Sequence, residues 1–155
     1  MTEQKTAGFE FAKSIGGGNG PPPTMQVTLG VAQKHRKGDL MLIQSDGFAD
    51  QVAGSIDEVT GVMAQTVEAA DITAEETEAT IEIITHDQVW RCSMDAATST
   101  AVVGYTKTLD TVDCNTIDAD DITNGSMILW DKSTLDADGN VVGYVVFADT
   151  TFGNV

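Results

Sequence analysis

Gly16-Gly17-Gly18-Asn19-Gly20-Pro21-Pro22-Pro23-Thr24-Met25-Gln26-Val27-Thr28-Leu29 is the stretch on which the fold turns. Its first half cannot join a helix or a central strand, because glycine costs backbone entropy and proline lacks an N–H. The glycines read as flexible and the triproline as a stiff polyproline II segment. From Met25 the chain alternates apolar and polar side chains, the period-2 mark of a half-buried strand. A boundary therefore falls at Thr24. Residues 1–23 are expected to form an extended Gly/Pro-rich arm outside the core, and residues 24–155 a β-rich domain.

Further β segments follow. Leu40-Met41-Leu42-Ile43 is a short apolar run that ends at the turn signal Asp46-Gly47. Thr80-Ile81-Glu82-Ile83-Ile84 and Gln88-Val89-Trp90-Arg91-Cys92 flank Thr85-His86-Asp87, which reads as a hairpin turn. Later come Ala101-Val102-Val103-Gly104-Tyr105, Ser126-Met127-Ile128-Leu129-Trp130 and Val141-Val142-Gly143-Tyr144-Val145-Val146-Phe147. Asn124-Gly125 and Asp138-Gly139-Asn140 supply the positive-φ positions of tight turns. Residues 62–78 are rich in Ala, Glu and Gln, with Val59, Met63 and Val67 at spacing four, so a short helix there competes with an acidic loop. The expectation is a mainly β body of about eight short strands, with at most one short helix. Gly38-Asp39-Leu40-Met41-Leu42-Ile43 also echoes Gly125-Ser126-Met127-Ile128-Leu129-Trp130, which reads as repeated use of a strand–turn device rather than as duplication.

Composition bounds the function. At 155 residues the chain suits one domain plus a short appendage, and 41% hydrophobic residues can fill a real core. A formal charge of −16 excludes nucleic acid and anionic membranes as natural partners. Apolar runs are too short to span a bilayer, and the N-terminus lacks the pattern of a signal peptide. Cys92 and Cys114 then read as free thiols of a cytosolic chain rather than as a disulfide.

The charge is unevenly placed. Residues 1–37 hold five basic groups and two acidic ones, whereas residues 38–155 hold three basic and 22 acidic. Only the first segment can approach an acidic surface without repulsion. It contains Phe9-Glu10-Phe11, with two aromatics on one side of an extended segment. Two readings stand side by side: an unstructured terminus with incidental phenylalanines, or an arm that buries Phe9 and Phe11 on a neighbouring subunit. Fifteen extended residues reach roughly 50 Å. On the second reading Phe9, Phe11, Lys13, Pro21, Pro22 and Pro23 are the docking residues.

The motifs of catalysis do not assemble. Asp136-Ala137-Asp138-Gly139-Asn140 starts like a calcium loop, but Val141 and Phe147 fall where glycine and glutamate belong, so a hairpin turn fits better. Asp118-Ala119-Asp120-Asp121 reads as a solvated acidic loop, with a weak surface cation site as the alternative. Gly54-Ser55-Ile56 lacks the nucleophile-elbow glycines, and His86-Asp87 are adjacent residues whose side chains point apart. The C-x-x-C spacing is absent, so no metal or cofactor is expected. Trp90 and Trp130 each sit in an apolar strand pattern and serve either as core or as interface anchors. The expectation is a protein that is not an enzyme.

The Gly-Asp-Leu-Met-Leu-Ile strand, the Val59-Thr60-Gly61-Val62 step, the Thr/Ala-rich β segments and the Gly-x-Met-Ile-Leu strand together resemble the capsid decoration (cement) proteins of tailed bacteriophages. The resemblance covers roughly residues 24–155. It implies a compact β-sandwich or small, β-tulip-like barrel on the outer surface of a phage head, made in the host cytoplasm. It also implies trimers at threefold or quasi-threefold axes, bridging major capsid protein subunits without catalytic residues. A rival from another class is a virion-surface or fibre-type β module that recognises a host glycan or protein.

Overall fold

Two short strands carry the architecture, because their successive side chains enter different hydrophobic clusters. In β3 (Leu40–Ile43), Leu40 packs in a larger cluster and Met41 in a smaller one. In β5 (Gly61–Met63), Val62 and Met63 divide the same way. Neighbouring side chains of a strand point to opposite faces. A continuously apolar strand therefore needs both faces covered, and all four of these side chains are fully buried.

The computed structural model describes residues 8–15, 20–52, 58–96, 109–119 and 125–152. Besides β3 and β5, the strands described are β1 (Glu10–Ser14), β2 (Thr24–Thr28), β4 (Ala49–Gln51), β6 (Glu78–Ile83) and β7 (Gln88–Ser93). The remainder are β8 (Asp110–Asp113), β9 (Thr116–Asp118), β10 (Met127–Leu135) and β11 (Val141–Phe147). A four-stranded antiparallel sheet runs β1-β7-β11-β10, and a five-stranded one runs β2-β6-β5-β3-β4. β8 and β9 form a separate hairpin. The protein is thus mainly β, as expected, with several antiparallel sheets, none of them closed into a barrel among the described residues. Just past the end of β2, Leu29 makes an isolated parallel bridge to Ala49 of β4, the strand at the opposite edge of the five-stranded sheet.

The larger cluster draws on both big sheets. Phe9, Trp90, Cys92, Met127, Leu129, Val145 and Phe147 come from the four-stranded side, and Leu40, Val62 and Ile84 from the five-stranded side. The smaller cluster (Val27, Leu29, Met41, Ala49, Met63, Ile72, Ala79 and Ile81) lies on the other face of the five-stranded sheet. There Ile72 supplies cover just after a single 3-10 turn over Ala69–Asp71.

Turn chemistry matches the sequence at two hairpins. Asp46-Gly47 joins β3 to β4, with Gly47 at φ 90° and the Asp46 carboxylate accepting from the Phe48 N–H at 3.0 Å. Residues 136–140 join β10 to β11, with the Asp136 carboxylate accepting the N–H groups of Asp138 and Asn140 at 2.9 Å each. Those amides hold the Asp136 carboxyl below its usual range.

Several expectations differ from the structure. Residues 85–87 are not a hairpin turn, since β6 and β7 belong to different sheets. The chain crosses there, with Ile84 buried in the larger cluster and Gln88 Oε1 accepting from the Thr85 N–H at 2.9 Å. Residues 62–78 form no α-helix; Val59 and Met63, at helical spacing, point into different clusters. The described residues carry eleven strands rather than about eight. Residues 1–23 do not all lie outside the core, because Phe9 is 2% exposed within the larger cluster. β3 and β10, the two echoed segments, sit in different sheets. The strand expected at 101–105, Asn124 of the Asn124-Gly125 turn, Asp120 and Asp121 of the acidic loop, and the 54–56 segment lie outside the described residues.

Leu40→Ala and Met41→Ala should each lower stability by about 2–5 kcal/mol, although they empty different clusters. Urea denaturation checks this. An unchanged midpoint for either one would show that its face is not a packed core.

Candidate functional site

β1 is the element that sequence reading assigned to an arm, and its seating begins at Gly8. Gly8 has φ +75°, and a Cβ there would lie 2.5 Å from the Gly38 carbonyl oxygen. That close approach lets the Phe9 N–H donate to the same oxygen at 2.8 Å. Phe9 then enters the larger cluster, 5.6 Å from the Phe147 ring. Phe11, half-buried, meets Trp90 edge-on at 5.7 Å. Trp90 is fully buried, and its indole N–H donates to Gln88 Oε1 at 3.1 Å. Backbone pairing with β7 matches Glu10 to Arg91 and Lys13 to Val89, with a bulge between Phe11 and Lys13. Past the strand, the Ile15 N–H donates to the Asp87 carbonyl at 2.7 Å.

Phe9, Phe11 and Trp90 are thus brought together, but as packed structure. Burying a phenylalanine fully contributes roughly 1.5–3 kcal/mol, against roughly 1–2 kcal/mol per residue for ordering the backbone. Two aromatics cannot hold five strand residues by burial alone. The ladder to β7 and the neighbouring ring contacts must supply the rest.

The bulge turns Lys13 to the outer face of the four-stranded sheet. There its ammonium lies 5.5 Å from the ring centroid of Trp130, which is 42% exposed on β10. The two side chains reach across β7 and β11 and border a cleft of about 510 Å³ with Val89, Arg91, Asp131 and Tyr144. Arg91 is held between Glu10 at 3.7 Å and Asp136 at 3.9 Å. Sequence reading picked out Lys13 and Trp130 but missed Arg91 and Tyr144, which the register places side by side across β7 and β11.

On the inner side of β1, Phe9, Glu10, Phe11, Pro21, Pro22, Lys37, Met63 and Glu82 border a second cleft of about 450 Å³. Pro22 is buried there, while Pro21 and Pro23 are exposed. The Pro23 carbonyl accepts from the Ile83 N–H at 2.8 Å, so the triproline is fixed beside the five-stranded sheet. Burial pushes the Glu82 carboxyl above its ordinary range, partly opposed by the Lys37 cation.

A third locus is polar. Asp39, 2% exposed, accepts from the Arg36 N–H at 2.8 Å, Gln51 Nε2 at 2.9 Å and Asn115 Nδ2 at 3.3 Å. It ties the 31–39 loop, β4 and the β8–β9 turn together. The neighbouring Cys114 thiol is pushed up to about 12 by burial and by the carboxylates of Asp39 and Asp113. Cys92 is raised too, chiefly by burial, and both cysteines are free. Such thiols stay protonated and slow to react at neutral pH. Among the described residues no group of three or more His, Cys, Asp or Glu side chains is placed to hold a metal ion.

Comparison with protein-family models, curated proteins and solved structures finds no match.

Phe9→Ala should cost about 3–5 kcal/mol in urea denaturation, and Phe11→Ala distinctly less, since only Phe9 is fully enclosed. Equal small losses would mean that β1 is not seated. Glu82→Gln tests the inner cleft. A raised carboxyl contributes stability below its unfolded pKa and loses it as pH rises through the folded value. The variant should therefore gain stability over wild type at neutral pH, with the gain vanishing below about pH 4. A pH-independent difference would contradict the desolvation of Glu82.

Proposed function

We propose that the protein is a structural virion protein that binds the outer surface of a phage head, bridging major capsid protein subunits and stabilising their lattice. On this reading it is made in the host cytoplasm, associates as a trimer at threefold or quasi-threefold axes, and performs no catalysis. Its two large sheets facing one core are read as a sandwich-like body.

The observation that carries the reading is β1. It is the first strand among the described residues and lies at a sheet edge, followed in sequence by the Gly/Pro stretch. An edge strand offers backbone groups to a neighbour, which is what a bridging protein needs. Charge supports the same orientation. Lys34, Arg36 and Lys37 are exposed on the loop before β3, whereas the chain as a whole is strongly acidic. Basic groups on one side steer an acidic molecule onto an acidic shell in one orientation. Many copies, each adding a modest contact, then raise shell stability through avidity.

One observation favours the rival, a β module that recognises a host glycan. Trp130 stands partly exposed beside Tyr144 and Arg91 in the outer cleft, a grouping suited to stacking on a sugar ring.

Mixing the protein with undecorated heads and sedimenting them tests the proposal. Saturable co-sedimentation that raises the melting temperature of the heads is expected. Protein left in the supernatant at every salt concentration would refute the capsid reading. Loss of cell-surface binding in Trp130→Ala, with head binding absent, would favour the rival.

A further inference from the structure

We infer that the outer cleft of the four-stranded sheet binds a carbohydrate ring that carries a carboxylate, such as a uronic acid. The inference rests on the glycan reading of that cleft and goes further by assigning the charge of the sugar; it is independent of the capsid reading. Side chains of β7 alternate between faces, so with Trp90 in the larger cluster, Val89 and Arg91 point outward. Val89 is nonetheless fully buried, and it belongs to neither cluster. It gives the cleft an apolar base. The wall over β11 and β10 is aromatic: Tyr144 is half-buried, and Trp130 keeps 42% exposure with the Lys13 ammonium laid over its ring. A volume of about 510 Å³ falls within the range of small-molecule sites, which pair apolar lining with a few convergent polar groups.

The polar groups select the charge of the ligand. In a chain of 24 acidic and 8 basic side chains, Lys13 rests on an indole and has no carboxylate partner among the described residues. Arg91 is held loosely, since 3.7 Å to Glu10 and 3.9 Å to Asp136 exceed the roughly 2.7–2.9 Å of a charge-assisted hydrogen bond. Its guanidinium also has more N–H groups than those two contacts can use. The Tyr144 hydroxyl makes no hydrogen bond among the described residues. Asp131 borders the cleft as well, but it already has a partner of its own. Two cations and a phenol thus converge beside an open aromatic surface. A ring stacked on the exposed part of Trp130 brings its carboxylate beside Lys13, while Arg91 and Tyr144 face its remaining oxygens. A neutral sugar gains the stacking alone.

The test adds methyl glucuronide and methyl glucoside, which differ only in the carboxylate, to the isotopically labelled full chain. The readout is the indole N–H resonance of Trp130, identified by its absence in Trp130→Phe. Trp90, fully buried with its indole N–H bonded to Gln88, is the internal control. The glucuronide is expected to shift the Trp130 resonance saturably and to bind roughly tenfold more tightly than the glucoside. Raising salt should narrow that ratio, and so should Lys13→Gln, with Trp130 still responding to both sugars. Equal binding of the two sugars would overturn the inference and leave the glycan reading standing. No shift of Trp130 with either sugar would overturn both. Sodium acetate that shifts Trp130 as strongly as the glucuronide would also overturn the inference, because a bare carboxylate would then suffice. A ratio left unchanged by Lys13→Gln would remove Lys13 from the site and overturn the charge argument.

Discussion

Everything in this structure depends on one sheet being buried on both faces. β3 and β5 give alternate side chains to two clusters, so neither cluster forms unless both strands are in register. A slip of one residue would send Met41 where Leu40 belongs and reverse every contact. The register is held from outside the sheet as well. The Leu40 N–H donates to the Cys114 carbonyl at 2.7 Å, and the Met63 N–H to the Asp39 carbonyl at 2.9 Å. Asp39 then uses its carboxylate to tie its own loop to β4 and to the β8–β9 turn, which makes that residue the pin of the arrangement.

β1 is subordinate to that constraint. The double-sided sheet supplies the floor of the larger cluster, and Phe9 closes a gap at its edge. The strand itself sits at a sheet edge. Its ladder belongs to the four-stranded sheet, while the five-stranded sheet stays continuous without it. The proposed bridging role draws on β1 as an edge strand beside an otherwise continuous body. Cations lie on both parts: Lys13 on β1, and Lys34, Arg36 and Lys37 on the loop that leads into β3.

The sequence was most informative where burial imposes a local period. Met25 to Leu29 alternates because one face is covered, and it became β2 with Leu29 just beyond. Leu40 to Ile43 is solidly apolar because both faces are covered, and it became β3 without a shifted end. Val141 to Phe147 likewise became β11. β4 and β5 have three residues each, too few to display a period. The crossing at residues 85–87 was misread because three polar residues look the same whether the next strand pairs with the last or leaves for another sheet. Long-range packing of Ile84 and Trp90 decides that choice. For β1 the alternation of Phe9 and Phe11 was visible, but the Gly/Pro stretch suggested separation, whereas β1 is paired into one sheet and β2 into the other. The outer cleft was half legible. Lys13 and Trp130 stood out as residues, but nothing in the chain order brings them to Arg91 and Tyr144; pairing across four strands does that.

The claim that one sheet carries two cores is tested most directly by hydrogen exchange at its centre. Amides with few local routes of opening exchange only through global unfolding. Those of Leu40 and Met63, together with Thr60, whose N–H donates to the Met41 carbonyl at 2.9 Å, are predicted to be among the slowest in the molecule. Their exchange free energies should equal one another and match the global unfolding free energy measured in denaturant. Fast exchange of these amides by local opening, while β11 stays protected, would contradict the account and leave the five-stranded sheet as a cover on a single core.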